Sequence, residues 1–103
     1  MKIIKKLSEM IEDEISGAKC YAKKALEWKS EHKDLADVLY ELSTEEMHHL
    51  QLLHIQVEKL ISKYREEKGE PPAEMLAVYD YLHKKHIEQA EEVKRYQSLY
   101  KDL

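Results

Sequence analysis

The chain has 103 residues, with 17 basic and 21 acidic side chains and only two glycines and two prolines. A chain of this length forms one domain, because cores divide only in chains of roughly 250 residues or more. Charged residues at 37% with so few turn residues match long amphipathic helices and exclude an all-β sandwich or barrel. A net charge of −4 without a basic stripe predicts no nucleic-acid partner.

The sequence also limits the compartment and the type of metal site. The longest apolar run, Met75 to Tyr79, is far shorter than the roughly 20 residues that cross a bilayer, so no membrane association is expected. Acidic residues between Glu9 and Glu14 stand where a signal peptide needs an apolar segment, which predicts a cytoplasmic protein. Cys20 is the only cysteine, so any metal site must use carboxylates and imidazoles.

Helical spacing of the apolar residues predicts three helices, at about residues 3–29, 34–68 and 72–101. Asp34 is the expected N-cap of the second helix, since its carboxylate can accept free backbone N–H groups. Gly69, followed by Pro71 and Pro72, is a strong stop signal, and Pro72 can also begin the third helix. Short loops between such helices predict an all-α, up-down-up three-helix bundle over residues 1–103.

A carboxylate falls within the predicted apolar stripe of each of the first two helices, at about 100° of rotation per residue. Glu14 lies within about 40° of the stripe residues Leu7, Met10, Ala18, Tyr21, Ala25 and Trp28. Glu46 lies within about 40° of the stripe residues Leu35, Leu39, Leu42, Leu50, Leu53, Val57, Leu60 and Tyr64. His49 is about 60° from Glu46, whereas Glu45 lies to the side and His48 points almost opposite. We therefore expect Glu14, Glu46 and His49 to face the core.

These three side chains also lie at one depth, because Glu14 is roughly 17 residues before the first loop and Glu46 and His49 are roughly 15 to 18 residues after it. Residues three apart on a helix project side by side, so Glu46 and His49 can grip one ion. Two buried carboxylates with an imidazole call for a cation, since an isolated buried carboxylate protonates instead. These donors suit iron, manganese or zinc. The alternative is a hydrogen-bonded cluster that holds no metal.

The third helix offers further candidates of a weaker kind. His83 and His86 are expected to face inward at the level of His54, where the three histidines form either a second, weaker cation site or ordinary core and interface contacts. Glu91 lies to the side of its stripe and is the alternative ligand for the first site, as is Asp80. The third helix therefore provides no clear ligand of its own.

The pattern Glu14-(x3)-Ala18-(x2)-Tyr21 followed by Glu45-Glu46-Met47-His48-His49 resembles the ferritin-like superfamily, including rubrerythrins and small encapsulated ferritins. The resemblance covers about residues 7–64, and the whole chain is similar to short ferritin-like proteins of bacteria and their phages. It implies a di-iron centre bridged by carboxylates, with Glu14, Glu46 and His49 as ligands and Tyr21 beside them. Iron storage, or iron oxidation by a di-iron oxidase or ferroxidase, is the function that it implies.

The ligand count predicts an assembly. A di-metal carboxylate centre in a four-helix bundle takes four Glu and two His, and this chain supplies half of that set. Two chains related by a two-fold axis would complete it, so we expect a homodimer or a higher homo-oligomer in which the first two helices of each chain form the central four. The competing arrangement is a monomer in which Glu91 or Asp80 completes a single-metal site. The alternative function is a non-enzymatic helical assembly module whose metal site is vestigial or absent.

Overall fold

The computed structural model describes residues 2–102, and these form three helices and no strand: α1 (Lys2–Trp28), α2 (Lys33–Lys68) and α3 (Ala73–Asp102). The all-helical prediction is confirmed, and each observed helix begins and ends within one residue of its expected bounds. The bundle measures 56 × 19 × 18 Å. None of the three helices combines the length and apolar character that crossing a bilayer requires.

The start of α2 differs from the prediction. His32 is its N-cap, with φ −138° and no capping hydrogen bond from its side chain. The expected N-cap, Asp34, lies instead inside the first turn. The loop has the four residues expected but lies one residue earlier, at 29–32, and the N–H of His32 bonds to the carbonyl of Trp28 at 2.8 Å. A carboxylate in the first turn still favours the helix through the macrodipole.

The connection between α2 and α3 follows from its glycine and prolines. Gly69 has φ +79°, which is accessible to glycine, and its N–H donates to the carbonyl of Arg65 at 3.0 Å. The carbonyl of Pro72 accepts from the N–H groups of Met75 and Leu76, so Pro72 stands just before α3 and supplies its first hydrogen bonds. Gly69 therefore ends α2 as predicted.

The core consists of two clusters in which α1 and α2 provide most of the side chains. The larger cluster comprises Ile11, Ile15, Ala18, Met47, Val57, Ile61 and Val93. The smaller one, nearer the first loop, comprises Ala25, Ala36, Leu39 and Tyr100. Ala18, Ala22 and Ala25 are fully buried, and their small side chains allow α1 to lie close to its neighbours.

A buried serine connects all three helices at one level. Ser43 of α2 is fully buried and donates from Oγ to the carbonyl of Ala18 in α1, at 2.7 Å. Gln97 of α3 donates from Nε2 to the same Oγ, at 2.9 Å. Because Ala18 and Ser43 are each one turn from the candidate metal ligands, this contact aligns α1 with α2 beside the site.

The two halves of α3 are held differently. In the C-terminal half, Gln97 bonds to Ser43, and Tyr100 donates to Asp37 and stacks on Tyr40 with ring centroids 5.0 Å apart. In the N-terminal half, His83 stacks on His54 of α2, and a cleft of about 450 Å³ between α2 and α3 runs from this pair to Lys94. A second, apolar pocket of about 400 Å³ lies under the start of α3. The C-terminal half is therefore the better anchored of the two.

Candidate metal centre

The structure brings Glu14 of α1 together with Glu46 and His49 of α2. His49 Nδ1 lies 3.4 Å from Glu14 Oε2 and 4.0 Å from Glu46 Oε1. One ligand atom from each residue lies within 4.8 Å of the other two, so a single ion can reach all three. Within residues 2–102, no other three histidine, cysteine, aspartate or glutamate side chains gather this closely.

The cluster lies at the flank of the core, and the expectation that all three side chains face the core is wrong for His49, which is exposed. The exposed side-chain fractions are 27% for Glu14, 26% for Glu46 and 51% for His49. Met10, in the stripe predicted to be buried, is 49% exposed. The buried residues of α1 are instead Ser8, Ile11, Ile15, Ala18, Ala22 and Ala25. Their mean direction is about 70° from that of Glu14.

The physical reason is that α1 packs against both other helices. Its buried face must point between α2 and α3, and this face carries Ile11 and Ile15 together with small residues that allow close approach. The larger apolar residues beside Glu14, such as Leu7 and Tyr21, are therefore only half-buried. The three candidate ligands consequently line a half-open side of the α1–α2 pair.

The electrostatics of the two carboxyl groups favour a cation. A hydrogen bond with Glu14 is the largest cause that raises the pKa of Glu46, and partial burial and the charge of Glu14 add to it, while His49 opposes it. That hydrogen bond requires one of the two groups to be protonated. Glu14 Oε2 is buried and accepts no hydrogen bond, although His49 Nδ1 lies 3.4 Å from it. A cation would neutralise this pair, so the donor set fits a metal ion.

The neighbouring residues of the motif are placed differently. Glu45 and His48 are both exposed and stand outside the cluster, as their helical phase predicts. Tyr21 is half-buried two turns along α1 from Glu14, where it packs against the core cluster around Ala25. The structure therefore separates Glu46 and His49 from the adjacent residues of the same types.

The three histidines between α2 and α3 do not converge on a common point. The rings of His54 and His83 stack with centroids 4.8 Å apart and an interplanar angle of 15°. His54 Nε2 lies 2.9 Å from a carboxylate oxygen of Glu58, and His86 Nε2 lies 3.6 Å from Glu12 Oε1. Each imidazole thus has its own neighbour, and the second cation site stays a prediction.

The alternative ligands on α3 are Glu91 and Asp80, and both are exposed. Neither belongs to the cluster of Glu14, Glu46 and His49. A monomeric site completed from α3 therefore has no support in the geometry of the described residues.

Two residues that shape this region were missed from the sequence. Ser43 occupies a buried position of the α2 stripe, where a hydroxyl needs partners, and its phase could have identified it. Gly17 lies within α1, where alanine is the more stable choice, and such a glycine indicates a close approach of another group.

No protein-family model, curated protein or solved structure matches the chain. The resemblance to the ferritin-like superfamily therefore stays a prediction from the motif.

Proposed function

We propose that this protein binds iron through Glu14, Glu46 and His49 and serves in iron oxidation or storage. The observation that carries the proposal is the convergence of one ligand atom from each of the three residues within 4.8 Å, beside a buried oxygen of Glu14 that accepts no hydrogen bond. Manganese and zinc accept the same donors and are the competing ions. Iron in such a site supplies redox chemistry with oxygen, while the chain holds the ion and leaves one side open.

The proposed centre is di-iron and is shared between two chains of a homodimer. Three donors from one chain are half of the set that a four-helix di-metal centre uses. The half-exposed imidazole of His49 supports this, because an isologous interface about a two-fold axis would cover it with the same patch of the second chain. The dimer would therefore contain both halves of the ligand set.

The surface around the ligands also suits an interface. We call it the site face and define it by eight apolar side chains of α1 and α2 that lie within about 40° of Glu14 or Glu46: Leu7, Met10, Tyr21, Trp28, Leu35, Leu42, Leu53 and Leu60. Met10 and Leu35 are exposed and the others are half-buried. A row of such side chains beside an unfilled ligand set favours burial against a second copy.

The proposed topology is the up-down-up bundle of the ferritin-like resemblance. It is supported by the contacts of α1 with α2, since Ala18 follows Glu14 in the chain whereas Ser43, its partner, precedes His49. The Glu14–His49 contact and the Ala18–Ser43 contact therefore follow one another in opposite chain directions on the two helices, as in an antiparallel pair. The central four helices of the dimer would be α1 and α2 of each chain, with α3 outside.

The ligand assignment is tested by metal content after anaerobic reconstitution with Fe(II). Glu46→Ala and His49→Ala are expected to abolish stoichiometric iron binding, because each removes one of three donors. Glu45→Ala and His48→Ala are the matched controls, since both residues are exposed neighbours of the same type. Equal losses in all four variants would refute the assignment.

The shared site is tested by light scattering and metal titration in parallel. Met10→Lys introduces a charge on the site face, one turn from Glu14, and should produce monomers that lose iron. Leu99→Lys is the matched control, because Leu99 is 52% exposed on α3 and lies outside the site face. A monomeric Met10→Lys that binds iron as tightly as wild type would contradict the shared site.

A non-enzymatic assembly module is the second candidate function. Val78 and Tyr81 favour it, since they leave 59% and 67% of their surface exposed on α3, away from the ligands. Protein that takes up no iron, manganese or zinc on reconstitution, yet forms a defined oligomer, would support this function over the metal centre.

A further inference from the structure

Gly17 of α1 lies directly against the side chain of the candidate ligand Glu46. A Cβ placed on Gly17 would lie 3.2 Å from Glu46 Oε2, 3.6 Å from its Cδ and 3.9 Å from its Cγ. The three nearest heavy atoms thus all belong to this one side chain. The carboxylate of Glu46 therefore rests against α1 where a side chain is missing.

The backbone of Gly17 gives no other reason for a glycine. Among the described residues Gly69 is the one with a positive φ, so Gly17 has the conformation of any helical residue. Glycine within a helix is less stable than alanine, because it loses more conformational freedom on folding. A chain with only two glycines carries one of them at this unfavourable position, one turn from Glu14.

We infer that Gly17 is a positioning residue, which leaves room for the Glu46 carboxylate to lie against α1 beside Glu14. This inference rests on the proposed metal function. A methyl group at position 17 would move Glu46 Oε2 by a few tenths of an ångström, since 3.2 Å is tighter than an ordinary contact. Such a shift changes how Glu14 and Glu46 face one ion while leaving every ligand in the chain.

The inference predicts opposite effects of Gly17→Ala on stability and on metal binding. Alanine should raise the Tm of the metal-free protein by about 2 to 6 °C through its higher helix propensity, and the close contact with Glu46 should reduce this gain. Iron affinity should fall about 10-fold or more, as expected when the support of a ligand changes. A merely structural glycine would alter the Tm and leave the affinity unchanged.

A stability cycle on the metal-free protein tests the contact without any metal. Gly17→Ala is measured in wild type and in Glu46→Ala, and the gain in Tm should be larger in Glu46→Ala because no carboxylate is in the way. Ser16→Ala is the matched control, since Ser16 is an exposed neighbour on α1 and should give equal gains in both backgrounds. Equal gains for Gly17→Ala as well would overturn the inference.

The metal arm uses anaerobic Fe(II) titration of wild type, Gly17→Ala and Ser16→Ala. An unchanged affinity in Gly17→Ala, with wild type binding iron, overturns the positioning role and leaves the proposed function intact. Wild type that binds no iron overturns the proposed function and the positioning role with it, whatever the stability cycle returns. Coupling with Glu46 together with a selective loss of affinity in Gly17→Ala supports both.

Discussion

Replacement of Ser43 by alanine tests the contact that aligns α1 with α2 beside the ligands. Ser43 Oγ donates to the carbonyl of Ala18 at 2.7 Å and accepts from Gln97 at 2.9 Å. Ser43→Ala removes both hydrogen bonds from a fully buried position. The Ala18 carbonyl keeps its bond within α1, and the half-buried Gln97 can turn to water, so neither partner becomes a fully stranded polar group.

The expected loss of unfolding free energy is about 1.5 kcal/mol, because two buried hydrogen bonds each contribute about 1 kcal/mol and the one to Gln97 is partly replaced by water. For a domain of this size that loss lowers the Tm by roughly 6 to 12 °C. Alanine has the higher helix propensity, which offsets a few tenths of a kcal/mol. The net result is a clear destabilisation from one oxygen atom.

The assay is urea denaturation followed by far-UV circular dichroism, with a chelator present and the protein concentration held fixed so that metal and assembly contribute equally. Thr44→Ala is the matched control. Its Oγ1 donates to the carbonyl of Glu41 in the same helix, at 2.7 Å and on the exposed surface. This hydrogen bond should contribute less than about 0.5 kcal/mol to the unfolding free energy. A Ser43→Ala protein as stable as Thr44→Ala would refute the aligning role of this serine.

Two further predictions concern α3 and the second loop. Burial lowers the pKa of His86 and outweighs the opposing effect of Glu12, so below about pH 6.5 the unfolded chain binds a proton that the folded chain resists. The contribution of His86 to the unfolding free energy should therefore be fully present above that pH and should decline as the pH falls towards the pKa of the folded state. His86→Gln should reduce this decline, measured as the urea midpoint at each pH. His48→Gln is the control and should leave the decline unchanged, because His48 is exposed. Gly69→Ala should lower the unfolding free energy by about 1 to 3 kcal/mol, since alanine disfavours φ +79° and ψ −164°. An unchanged Tm in calorimetry would contradict this prediction.

The helices could be predicted because their ends carry local signals. Gly69 and Pro72 act on their own backbone groups, so their effect does not depend on the rest of the fold. The convergence of Glu14 with Glu46 and His49 was also accessible, since helical rise and rotation alone relate their depth and direction. The N-cap of α2 is His32, two residues before the predicted Asp34. Helix ends vary by one or two residues, so local sequence signals do not determine this position.

The depth of burial could not be predicted from the stripes. α1 has two adjacent apolar faces, one around Glu14 that includes Met10 and one that includes Ile11, Ile15 and Ala22. Both faces carry large apolar side chains, so counting hydrophobic residues does not show which of them is buried. Only the position of α3 decides which face is buried, and that is a property of the whole bundle rather than of a segment.

The unequal anchoring of α3 has a consequence for how the molecule opens. Amide hydrogen exchange reports local opening, and openings begin where few buried contacts hold a segment. The stretch of α3 near Val78, beside the apolar pocket, should exchange well before the stretch around Val93 and Tyr100, which is buried and bonded to α2. Exchange would then spread along α3 from its first turn, while α1 and α2 keep Glu14 and His49 together. The contact between α1 and α2, which carry the candidate ligands, can thus persist while part of α3 is unfolded.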